Sequence, residues 1–188
     1  GYSAQAANSI AIGNTAARDA QGEKSVAMGY QAARNAQGAA AVAIGDTAAY
    51  LNQGINTVAI GLLSASNAQG ASAVAVGVNS GRVSQGASSV AIGDSAGKTS
   101  QGNTSVAVGQ EAGTNAQGAN STAVGVSAGQ VSQGAQCVAI GYYSGSADQA
   151  TNSVAIGRSA GQNAQGSQAV ATGSLAGSGG QASGRIAI

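Results

Sequence analysis

Histidine, proline, phenylalanine and tryptophan are all missing from this chain, and cysteine occurs once. Without histidine there is no His-based triad, no imidazole acid–base relay and no histidine zinc site. A single cysteine excludes an internal disulfide framework. Aromatic residues make up 3% of the chain and all are tyrosine, so a conventional core of large side chains cannot be assembled. Charged residues are 7% and nearly balanced, with net charge +1, which leaves little attraction for nucleic acid or an anionic membrane. No apolar run approaches the ~18 residues of a membrane span, and no signal peptide is visible. Absence of proline, with valine or isoleucine returning on schedule, argues against disorder. The 31 glycines lack the every-third spacing of collagen.

What the chain does have is a clock. Glutamine recurs every sixteen residues from Gln5 and Gln21 through Gln165 to Gln181, with no insertion or deletion, and a β-branched residue follows five positions after each. The unit reads roughly V-A-I-G-x-x-A-G-x-x-A-Q-G-x-x-S, counted here from the β-branched residue as position one. Length alone would allow one or two domains. A fixed period of this kind instead marks a stacked repeat, in which each unit touches only its neighbours. Residues 1–188 therefore read as one continuous repeat domain. Gly1 and Ile188 both fall within a repeat, so the expectation is a fragment of a longer fibre.

Each repeat reads as one coil of an all-β parallel β-solenoid, a β-roll of about twelve coils. The apolar block is short, as in Val90-Ala91-Ile92, and lacks helical periodicity. Val and Ile two apart fit a strand in which alternate side chains share a face. Position four is glycine from Gly13 to Gly173 and fits a corner that needs positive φ or close approach. Position thirteen, mostly glycine, reads as a second corner. The expectation is that Val and Ile point inward, faced by small residues at positions seven and eleven. At a strand spacing of about 4.7–4.9 Å the rod would be roughly 55–60 Å long. Stacked Gln amides would bond along its axis.

Position two is alanine in every repeat: Ala11, Ala27, Ala43, Ala59, Ala75, Ala91, Ala107, Ala123, Ala139, Ala155, Ala171 and Ala187. It lies opposite the Val/Ile face, and an ordinary water-facing position would vary. The expectation is a flat stripe against which a partner backbone packs, a homo-oligomer interface. Mere repeat duplication and a flat ice-binding face are the alternatives.

Asn152-Ser153-Val154-Ala155-Ile156-Gly157 and Ser89-Val90-Ala91-Ile92-Gly93 resemble the NSVAIG-type repeat in the heads of trimeric autotransporter adhesins. Val-Ala-Ile-Gly repeats of phage and algal-virus fibre-like proteins are similar. The resemblance covers every repeat on a few residues each, and the added Gln-Gly corner departs from the family's usual, slightly shorter unit. It implies a left-handed β-roll, a homotrimer, display on a cell or virion outer surface, and binding to host matrix protein or cell-surface glycan.

Little else suggests chemistry. The six acids fall at different phases of the repeat. Asp46 and Asp94 share position five but lie three coils apart, near 14 Å, too far to share a metal. No catalytic residue, metal or cofactor is expected. Arg18, Arg34, Arg82 and Lys98 share position nine in an interrupted row, either a solubilising edge or a contact for sulfated glycans. Tyr142 and Tyr143, with Arg158 in the following coil, are candidate sugar-stacking residues or ordinary corner packing. Cys137 reads as a small-residue replacement. The function expected is a rigid, adhesive or spacing segment of a surface fibre. A viral receptor-binding fibre and an ice-binding protein are alternatives, although Thr15, Thr47, Thr57 and Thr104 form no rank.

Overall fold

A computed structural model describes residues 5–188; Gly1 lies outside the described residues. The sixteen-residue unit wraps once and lies on its predecessor. Twelve short strands, from Ile10–Ile12 to Ile186–Ala187, form one parallel sheet in strict sequence order. Its register pairs like with like: Val90 with Val106, Ala91 with Ala107, Ile92 with Val108. A second parallel sheet of five strands runs from Asn35–Gln37 to Thr99–Gln101. Single bridges extend it through Asn115, Val131, Ala147 and Asn163. The described residues contain no helix. The fold is thus the expected parallel β-solenoid, with about eleven full turns carrying the twelve copies of the first strand.

Hydrogen bonds run along the shaft around the whole circumference, in turns as well as strands. Between neighbouring coils Val90 donates to Ser105 at 2.9 Å, Gly97 to Ala112 at 2.8 Å and Gly102 to Gln117 at 2.8 Å. In the remaining turns Ser95 donates to Val78 at 2.9 Å and Thr104 to Ala87 at 2.9 Å. Burying this much backbone is tolerable only because nearly every group finds a partner.

The expected inside and outside of the first strand are reversed. Ala27, Ala91 and Ala171 are completely buried, and so is every alanine of that column between them. Val at position one is half-buried, and Ile at position three is exposed, 41% at Ile92 and 56% at Ile12. The interior is lined by Ala at position two, Ala or Ser at seven, Gln at twelve and Ser, Ala, Thr or Cys at sixteen. Position eleven, expected inside, is turned outward with φ near +55° at Ala36, Ser84 and Ser100. A coil of two three-residue strands is too thin for Ile and Val to enter from one side while Gln enters from the other.

The corner glycine is required twice over. Gly93 has φ +129°, and a Cβ there would stand 2.6 Å from the carbonyl oxygen of Gly109 in the next coil. Gly86, at the second corner, is needed for close approach alone: its Cβ would meet the Gly102 carbonyl carbon at 2.5 Å. Gly93→Val is therefore expected to destabilise the chain by at least about 3 kcal/mol. Thermal or denaturant unfolding reads this directly, and an unchanged midpoint would remove the corner from the account.

Candidate functional site: an apolar face outside a glutamine-filled core

The largest fully buried side chains are glutamines, among them Gln117, Gln133, Gln149 and Gln165. Each amide spans its own coil. Gln101 Nε2 donates to the Val90 carbonyl at 2.8 Å, Gln149 to Val138 at 3.0 Å, and the same bond recurs from Gln21 to Gln181. A second acceptor is the position-sixteen carbonyl, as from Gln149 to Ser153 at 3.3 Å. The expected axial ladder forms in two runs: Gln53 to Gln69 to Gln85, and Gln133 through Gln149 and Gln165 to Gln181, at 3.1–3.4 Å. Ser25, Ser89, Ser105 and Ser153 close the last turn by donating to the carbonyl three residues back, at 2.6–2.7 Å. Cys137 is buried in that column, its Sγ 3.0 Å from the Ala150 carbonyl oxygen.

This core corrects the proposed role of the alanine column. From Ala27 to Ala171 it has no exposed surface, so it cannot meet a partner backbone; Ala11 and Ala187 at the ends are partly buried. Its smallness is demanded from within. The Cβ of Ala91 lies 3.2 Å from where a Cβ on Gly97 would stand, and the Gln101 amide fills the remaining space. The face offered outward is the other one, Val at position one and Ile, Val or Met at position three. It runs the length of the sheet without a charged residue. The signal was in the sequence: positions sixteen and two lie two apart, both held to small residues in every repeat before Arg185, and such a pair marks the crowded side.

The remaining candidates scatter over the outer surface. Arg18 donates from Nε to Asp19 at 2.8 Å and from Nη2 at 3.0 Å. That hydrogen bond raises the arginine's pKa and lowers the aspartate's. The pair is exposed, so its small contribution is present above the ordinary carboxylate range and fades as Asp19 protonates in acid. Arg34 lies over the Tyr50 ring, 5.4 Å from its centroid, and donates to the Tyr50 hydroxyl. Arg82 and Lys98 are half-buried in adjacent coils, separated from Arg34 by Tyr50 and Ser66, so the row is two pairs. Tyr142 and Tyr143 meet edge to face with centroids 4.5 Å apart. Arg158 stacks in the Tyr142 column and donates to Ser174 at 3.1 Å. Among the described residues there is no pocket and no group of three potential metal ligands.

Architecture and surface together define a fibre-type β-solenoid with an uncovered apolar side. Residues 20–48 match the family model described as YadA head domain repeat, in two copies. The matched stretch contains the strands Val26–Met28 and Val42–Ile44. This stretch is therefore similar to the head-domain repeats of trimeric autotransporter adhesins. No curated protein and no solved structure matches the chain.

Two substitutions test the core. Ala91→Leu is expected to lower the unfolding free energy by about 1–3 kcal/mol, because overpacking strikes Gly97 and Gln101 inside one coil; an altered oligomer with normal stability would contradict this. Gln149→Glu places a carboxyl in the core, where burial raises its pKa above the unfolded value. Its loss of stability is expected to be small below about pH 4 and to grow as pH rises through neutrality, by several kcal/mol. Denaturant unfolding across pH reads the slope, and a flat profile would place the amide outside the core.

Proposed function

We propose that this chain is a rigid, self-associating segment of a cell-surface fibre of the adhesin type, with its Val/Ile face closed against other copies of itself. The observation that carries the reading is the exposed apolar stripe on a chain whose interior is already filled by Ala and Gln. At the strand spacing it is about 55 Å long and three residues wide, on the order of 500 Å². That lies within the size of the largest apolar patch on a typical monomer, which is often functional, and here the patch is continuous along the whole shaft. A face repeating at the coil spacing is best matched by the same face on another copy. The likeness to trimeric adhesin heads supports three copies.

Assembled in this way, the fibre presents positions five, six, nine, ten, fourteen and fifteen to its surroundings on an outer cell surface. Its role is to hold that surface at a fixed distance and to bind along it, without catalysis. Tyr142, 53% exposed and one coil from Arg158 in the same column, is the lateral point best suited to a host glycan or matrix protein. The ice-binding alternative gains no support, since Thr57 is buried and Thr104 sits in a turn.

Sedimentation or light scattering of the chain is expected to give three times 17.6 kDa. Ile60→Asp, Ile92→Asp and Ile156→Asp together are expected to leave single chains with folded coils, read by mass and circular dichroism. A parent chain that runs as a monomer, or a triple variant with unchanged mass, would overturn the assignment of this face.

A further inference from the structure

The face that closes against other copies has a defect built into its own regularity. Like pairs with like along the sheet, so a displacement by one coil, about 4.7–4.9 Å, offers the same Val/Ile contacts again. Apolar contact therefore decides that the faces meet and says almost nothing about their height. Only residues that break the repeat can fix it. Met28, Val76, Val108 and Val124 vary position three but remain apolar, and apolar exchanges of similar volume are cheaply absorbed.

Two residues are different in kind. Thr122 replaces Val at position one, between Val106 and Val138 in its column. Thr172 replaces Ile at position three, beside Ile156. Thr122 is half-buried and Thr172 exposed, and among the described residues neither hydroxyl has a hydrogen-bond partner. A hydroxyl pressed against valine loses water without replacement, whereas hydroxyls that meet at one height act as donor and acceptor to each other.

Building on the self-association proposed above, we infer that Thr122, helped by Thr172, sets the register and the parallel direction of the assembled copies. In register, the Thr122 side chains of all copies lie in one layer and satisfy one another. A slip of one coil sets each against Val106 or Val138. Full antiparallel overlap sets Thr122, on the eighth of twelve strands, opposite the fifth, Val74–Val76. The device is the β-solenoid counterpart of a lone polar residue in a coiled-coil seam, which gives up some stability to specify alignment.

The test uses the whole chain with Cys137→Ser, the residue already present at Ser121 and Ser153. Chains bearing Val76→Cys and chains bearing Val108→Cys are mixed by unfolding and refolding, then oxidised. In register, the two unlike cysteines are about 9.5 Å apart along the axis, beyond disulfide reach of about 7 Å, so links form between like positions. Thr122→Val with Thr172→Val is expected to keep the oligomer mass while raising the 76–108 share about tenfold or more, read by mass spectrometry. Thr122→Ser with Thr172→Ser is expected to retain like-position links. Unlike links already abundant in the parent, or still absent in the double valine variant at unchanged mass, would overturn the inference. A monomeric parent would instead overturn the face assignment on which it rests.

Discussion

Peptide groups pointing along the shaft are the constraint from which the rest of this structure follows. They bond coil to coil through both faces and all turns, as Gly93 to Val76 and Asn120 to Asn103 show, so neighbouring coils must have the same outline. One inserted residue would lift part of a coil off the ladder and leave buried backbone unpaired, at a cost of about 1–3 kcal/mol for each group. The invariant period is thus a mechanical requirement. The corner glycines follow from the same demand, because at strand spacing one corner's backbone occupies the space a Cβ on the preceding corner would need.

A cross-section this thin also decides what fills the core. Gln reaches from the second face to the Val carbonyl on the first, and a long amide with two donors suits a cavity walled by backbone. Its oxygen accepts from the previous coil in the ladder runs. Where runs begin, at Gln53 and Gln133, and outside the runs at Gln21, Gln37, Gln101 and Gln117, the buried oxygen has no hydrogen-bond partner. Alanine and serine occupy what space remains. The fold is held by polar satisfaction and close contact more than by apolar volume, consistent with a chain of 3% aromatics.

Much of this was legible in the sequence and one important part was not. Period, parallel stacking, corner glycines and the Gln column follow from invariant spacing, because only a layered fold forces equal residues into columns. The inside of the first strand was misread. Alternation shows that Ala91 faces away from Val90 and Ile92, but not which side is interior, and habit places β-branched residues inside. That habit belongs to sheets whose cores have room for them. The deciding pattern was restriction in size: the positions of Ala91 and Gln101 never vary and that of Ala96 holds only Ala or Ser, whereas Ile92 becomes Val, Met or Thr elsewhere. Confinement produces the first behaviour, and an outward-facing position permits the second. The row of Arg18, Arg34, Arg82 and Lys98 follows from the period, but a contact such as Arg34 over Tyr50 depends on side-chain reach that spacing alone does not encode.

Periodicity has opposite effects at the two levels of organisation. Within one chain it is an asset, since covalent continuity fixes which coil follows which and every layer reuses the same solution. Between chains that covalent order is lost, and a uniform face becomes degenerate in height. A fibre built this way needs irregularity on its outward positions. On the first strand of this chain alanine stands without exception at the inward position two, while the outward positions one and three admit Thr122 and Thr172. Departures from the consensus on the apolar face therefore carry information that the consensus itself cannot, and in the assembly proposed above they lie where one copy meets another.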